Sequence, residues 1–241
     1  MLKINDVNNF RRTVAGLCLI AAPLLLGMAL LLHPGEGEAG LVQTIADNPG
    51  RTEAASLLII ASSMLFVPAL MGILNLVRDR GVTLVHIGVG LALIGAISHA
   101  VWSGFQVVLA GLTRSGLDQA QLAAAVEGGG PPPAGLIVVM LMFLVGFFLG
   151  LLVLAAGLWR SRTVPRWVPL GIVLLAVSDF VPVPGGPIVG AIASFLATIL
   201  LVACFGAIGV KLLTISDTDW EQGQVSPGEQ ADIGNVQPRV Q

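Results

Sequence analysis

The sequence predicts an all-α fold: a polytopic membrane helical bundle with six transmembrane helices and both termini cytoplasmic. Three observations predict it. The chain is 55% hydrophobic and only 11% charged, where a soluble domain carries about 25% charged residues. Its mean hydropathy is +0.90. Its apolar residues fall into long runs, and a bilayer-crossing helix needs about 20 of them in succession.

The first run lies between Arg12 and His33. It is long for a signal-peptide core and no A-x-A type cleavage site follows it, so it is expected to remain as a helix. The second lies between Glu53 and Arg78, without a charge. The third is uncharged from Gly81 to Thr113, and the fourth from Gly128 to Trp159. The fifth begins at Trp167 and runs into Asp179. There Pro182, Pro184, Gly185, Gly186 and Pro187 stop it early, since proline lacks the amide donor and clashes with the preceding turn. The sixth runs from Phe180 to Val210.

The connections on one side are short. On the other they are longer, at residues 33–52 and 113–133. The second of these holds LDQAQLAAAVE, which reads as a short amphipathic surface helix, and then the irregular GGGPPP. Residues 1–215 thus form one transmembrane domain. Residues 216–241 are polar and rich in Gly, Pro, Gln and Asp, so they are expected to be a disordered cytoplasmic tail. Small residues recur every four positions at Gly88, Ala92 and Ala96, at Gly146 and Gly150, and at Gly190, Ser194 and Thr198. Such spacing lets backbones approach closely in lipid, and packing within the bundle is the expected use. No oligomeric state follows from it.

Charge sets the orientation. Lys3, Arg11, Arg12, Arg78, Arg80, Arg160, Arg162, Arg166, Lys211 and Arg239 fall on one side, and only Arg51 and Arg114 on the other. Cytoplasmic segments carry the excess of Lys and Arg, which implies a multi-pass protein of the cytoplasmic (plasma) membrane. Trp159 and Trp167 flank one basic connection, as interfacial aromatics do. The opposite side carries Glu36, Glu38, Asp47, Glu53, Asp118 and Glu127. These acids are either tolerated there or attract cations or a partner at the outer mouth. No basic face for nucleic acid is present, and Cys18 and Cys204 lie inside apolar runs, so no disulfide framework is implied.

Ionisable groups within membrane spans are expensive and mark candidate sites. His99 lies mid-run, with Trp102, Ser103 and Gln106 at i+3, i+4 and i+7 on the same helical face. Asp179 comes 13 residues after Arg166, roughly 20 Å up a helix, in the outer half. Irregular backbone at that depth is tolerated where it lines a cavity. The expected pocket is therefore lined by Asp179, His99, Trp102, Ser103 and Gln106, with Phe105 and Phe180 as aromatic walls. Glu53 and His33 would form its rim. Each group also has a plainer role: Asp179 in an Asx-turn, His99 and Trp102 in packing, Glu53 in an exposed first turn.

Two classes of function fit. One is an intramembrane acid–base enzyme acting on a lipophilic small molecule or lipid. An apolar pocket favours the neutral carboxylic acid, so Asp179, with Glu53 and His99, becomes the catalytic candidate for proton transfer to an alkene, epoxide or carbonyl. Aromatic faces would stabilise a carbocation. The other class is a non-enzymatic carrier, transporter or scaffold subunit. A transporter would favour paired broken helices, and only the fifth helix looks interrupted. Haem needs two histidines from facing helices, but His86 and His99 share one helix. No metal and no cofactor is expected, and nucleotide, zinc and serine-hydrolase signatures are absent. In its size, its all-helical membrane body and its sparse intramembrane acids, the chain resembles the small polytopic terpene cyclases of meroterpenoid pathways. That resemblance covers the layout of the whole chain rather than an aligned motif, and the family has seven helices where six are read here. It implies a proton-donor role for Asp179, together with Glu53.

Overall fold

The computed structural model describes residues 7–34, 40–78, 80–128, 134–178, 186–215 and 220. The described chain is helical throughout. Its helices are α1 (Val7–Leu32), α2 (Leu41–Asp47), α3 (Pro49–Leu76), α4 (Val82–Arg114), α5 (Gln119–Val126), α6 (Ala134–Phe143), α7 (Gly150–Ser161), α8 (Trp167–Ser178) and α9 (Gly186–Thr214). A π-helical turn, Leu144–Leu149, joins α6 to α7, so Ala134–Ser161 is one continuous helix.

Five helices are long and apolar enough to cross a membrane: α1, α3, α4, the fused α6–α7 and α9. The fifth predicted span corresponds to α8, which has 12 residues. At 1.5 Å per residue that is about 18 Å, short of a hydrocarbon core of about 30 Å. The predicted proline- and glycine-rich stop, Asp179 included, falls at residues 179–185, which lie outside the described set, and at Gly186 and Pro187, the first residues of α9. Of residues 216–241, the described one is Trp220, which is 2% exposed and belongs to the main core.

The long helices form a closed ring. α1 packs on α3, α3 on α4, α4 on α7, α7 on α8, α8 on α9, and α9 returns to α1. Small residues set the closest approach in this ring. A methyl group on Gly88 would lie 2.5 Å from the Leu154 nitrogen, and one on Gly150 would lie 2.6 Å from the Ala92 nitrogen. Gly95 and Gly146 meet backbone to backbone between them. The four-residue pattern read from the sequence is therefore the α4–α7 seam. On α9, Thr198 packs against Gly27 of α1, while Ser194 is exposed. The exposed faces carry large apolar side chains such as Met64, Met140, Leu174 and Leu196, which suits a lipid solvent.

Each end of the ring is tied by polar contacts. At one end Arg12 Nη1 donates to the Ile215 carbonyl at 2.8 Å, and Arg78 Nη2 donates to the Trp220 carbonyl at 2.8 Å. At the other end α2 and α5 pack on the top of α4 through Val42, Ile45, Leu109 and Ala110. The predicted surface helix is α5. Its N-cap Asp118 accepts from the Ala120 amide at 2.8 Å.

Candidate functional site

The functional candidates arise on α3 and α4, which carry seven of the nine buried polar side chains among the described residues. Two adjoining regions result. The first is a small cavity at the centre of the ring. It is lined from α1 by Leu26, from α3 by Ser62, Ser63 and Phe66, from α4 by His99, and from the π-turn and α9 by Phe147 and Phe205, among others. About 20 Å³ of it is open to the centre of a water molecule, room for about one water. Its lining is almost wholly apolar. His99 is the one ionisable group among its lining residues.

The π-turn shapes this cavity. One extra residue per turn advances the helix face, and such turns occur often at functional sites. Here Phe143 meets His99, and Phe147 and Phe148 cluster with Phe143. The His99 and Phe143 centroids lie 5.2 Å apart at 53°. Phe143 stacks on Phe147 at 5.5 Å and meets Phe148 edge-on at 5.6 Å. Phe66 and Phe205 close the opposite wall edge-to-face at 5.6 Å. An imidazolium beside such π-faces is held by their quadrupoles. The Ser62 hydroxyl is committed elsewhere: it donates to the Ala22 carbonyl at 2.7 Å, beside Pro23.

The second region is a polar string two turns further along α4. Gln106 is buried. Its Oε1 accepts from the Ser56 hydroxyl at 3.2 Å, and its Nε2 lies 3.4 Å from His33 Nε2. Ser103, on the same face, is fully buried, and its hydroxyl has no partner among the described residues; the Ser98 hydroxyl is in the same state. Trp102 and Phe105 pair with each other at 5.5 Å, and neither lines the central cavity.

The structure thus brings together Gln106 and His33, and sets Ser103 and His99 on the shared face of α4. Glu53 stands apart. Its carboxylate is 2.5 Å from Arg114 Nη1, on a surface where both side chains are more than a third exposed. Asp179 and Phe180 lie outside the described residues. The other outer acids also have local uses: Glu127 accepts from the Val42 amide at 2.5 Å, and Asp47 accepts from Gln43 at 2.8 Å. Among the described residues, no three His, Cys, Asp or Glu side chains gather to hold a metal ion.

Sequence reasoning passed over Ser56, Ser62, Ser63 and the rings of Phe66, Phe143, Phe147, Phe148 and Phe205. The signal was present, since Ser56, Ser62 and Ser63 are polar residues within a charge-free run and FLVGFF packs three rings into six positions. Comparison with family models, curated proteins and solved structures finds no match for this chain.

Proposed function

We propose that this protein is a six-segment integral protein of the cytoplasmic membrane, with both termini inside, that holds a lipophilic small molecule beside His99 and performs acid–base chemistry on it. The observation that carries the proposal is His99 itself: one ionisable side chain lining an apolar cavity and packed, tilted, against the Phe143 ring. An imidazole can take up or give back a proton, and positioned proton transfer contributes about 10²–10⁴-fold to a rate. The rings would stabilise positive charge as it develops on a hydrocarbon. Asp179 follows the last residue of α8 in sequence and supplies the second proton-transfer group of this proposal. A polyprenyl chain or its epoxide is the proposed substrate class, and binding one requires the helices to part, since the cavity has room for about one water. α8 is the fifth of the six proposed segments.

The test incubates membranes with polyprenyl and epoxypolyprenyl substrates and looks for cyclised product by mass spectrometry. Asp179→Asn and His99→Gln keep shape and some hydrogen bonding. Both are expected to fold, retain bound lipid and lose at least 10²-fold in turnover. Wild-type turnover in both variants would overturn the acid–base role. A non-enzymatic carrier is the second reading, favoured by the nearly unbroken apolar lining of the cavity. It predicts retained lipid, no product, and lipid retention unchanged by either substitution.

A further inference from the structure

A second recess, of about 550 Å³, opens at the opposite, basic end of the bundle. It is lined by Arg80, Gly81, Trp159, Arg160, Arg162 and Arg166. We propose that this recess binds the phosphate group of an anionic phospholipid headgroup. The site is independent of whatever occupies the His99 cavity.

Four guanidiniums share this recess, and its lining holds no carboxylate. Asp79, next in sequence to Arg80, lies outside the described residues; counting it leaves a formal charge of +3 from these five residues. Among the described residues none of the four arginines is ion-paired. Arg166 sits over the Trp159 ring at 5.6 Å, which orients its plane. Trp159 and Trp167 are 46% and 48% exposed, as expected of side chains at a lipid–water boundary.

The backbone brings these charges together. Gly81, at φ +82°, lies so close to α7 that a methyl group there would be 2.5 Å from the Gly157 carbonyl oxygen and 3.3 Å from Arg160 Cβ. That contact places Arg80 beside the end of α7. Arg162 caps α7 in the left-handed region, at φ 57°, and among the described residues it is the only non-glycine with positive φ. Helices usually put glycine at such a cap. Here the conformation is held by Ser161 Oγ, which lies 2.8 Å from Thr163 Oγ1 and accepts from the Thr163 amide at 3.3 Å. Strained backbone that persists only through its surroundings clusters at ligand sites. Guanidiniums bind phosphate through paired N–H donors, and basic pockets at membrane level take phospholipid headgroups.

The experiment reconstitutes the full chain in nanodiscs of phosphatidylcholine containing one-fifth phosphatidylglycerol, then counts lipids retained on the extracted protein by native mass spectrometry. The wild type is expected to hold phosphatidylglycerol in preference to the excess phosphatidylcholine. Arg162→Gln with Arg166→Gln is expected to abolish that preference, and Arg51→Gln at the other end to leave it intact. If the glutamine pair fails to insert, Arg162→Lys with Arg166→Lys keeps the charge and removes the forked donors. A several-fold loss of preference in the lysine pair then supports the site, and wild-type preference overturns it. In phosphatidylcholine-only nanodiscs, inorganic phosphate is titrated against chloride at equal ionic strength while tryptophan emission is followed. A saturable response there, without lipid preference, assigns the recess to soluble phosphate and overturns the headgroup. Equal retention of both lipids with no phosphate response overturns the site altogether.

Discussion

Gln106 joins two helices through one amide, accepting from Ser56 of α3 and meeting His33 at the end of α1. Two effects compete in its value. Leaving a buried hydroxyl unpaired costs about 1–3 kcal/mol in proteins generally. In membranes, measured interhelical hydrogen bonds average only about 0.6 kcal/mol, because the separated helices find other partners. The second setting applies here, since α3 and α4 both meet the length and apolarity of membrane spans. Gln106→Leu should therefore cost about 1 kcal/mol, and Ser56→Ala somewhat less. The double variant should cost less than the sum, because neither partner is then stranded. Unfolding in mixed micelles measures this cycle, and strict additivity would show that the 3.2 Å contact carries no coupling. The exposed Glu53–Arg114 pair is worth less still, within about 0–1 kcal/mol.

At the scale of elements, the π-turn is the feature on which the site depends. Each residue turns an α-helix by about 100°, so one inserted residue re-aims everything before it. Val145 lies within the turn and is exposed. Deleting it should restore α-helical spacing and rotate α6 by about 100° against α7. The fused helix keeps 27 of its 28 residues, more than a crossing requires, so insertion should survive. The repacking of Gly146 and Phe148 should cost about 1–3 kcal/mol. Phe143 should leave His99, and the ring-current shift of the His99 imidazole protons in NMR should move. Unchanged His99 signals would mean that something other than the π-turn aims Phe143. This turn was not legible in the sequence. A helix that is apolar on every side carries no periodic pattern to mark a slip of one residue, as the run from Ala134 to Gly157 illustrates. Some boundaries were legible, because Gly81 and the breakers beyond Ser178 act locally, whereas the start of α3 at Pro49 and the short helix α2 fell within what was read as a connection at residues 33–52. The shared face of His99, Ser103 and Gln106 was legible too, since it lies on one helix. What faces it was not, because the pairing of Gln106 with Ser56 and His33, or of Glu53 with Arg114, depends on how separate helices rotate. The same limit separated Trp102 from the cavity.

At the scale of the whole molecule, the ring of helices turns a pattern of charges along the chain into two ends with opposite character. The contacts Arg12–Ile215, Arg78–Trp220 and Gly81–Gly157 gather the start of α1, the end of α3, the start of α4 and the ends of α7 and α9 at one end. Arg11, Arg12, Arg78, Arg80, Arg160, Arg162, Arg166 and Lys211 are all there. The contacts Arg51–Leu32, Glu53–Arg114 and Val42–Glu127 gather the end of α1, the start of α3, the end of α4, α2 and the end of α5 at the other. That end holds Arg51 and Arg114 among Asp47, Glu53, Asp118 and Glu127. Thr83 and Arg114 stand 31 residues apart on α4, about 46 Å along its axis, so no single side of a bilayer can reach both. The proposed orientation, by the positive-inside rule, has the arginine-rich end in the cytoplasm. Cysteine labelling tests this cleanly, because both native thiols, Cys18 and Cys204, are buried. Asp47→Cys and Asp118→Cys replace exposed residues of the capped end and should react with a membrane-impermeant maleimide in intact cells. Thr83→Cys, exposed at the basic end, should react only after permeabilisation. The reverse pattern at all three positions would invert the protein in the membrane. It would place the arginine recess outside and remove the topological argument for cytoplasmic termini, while leaving the ring and its central cavity as they are.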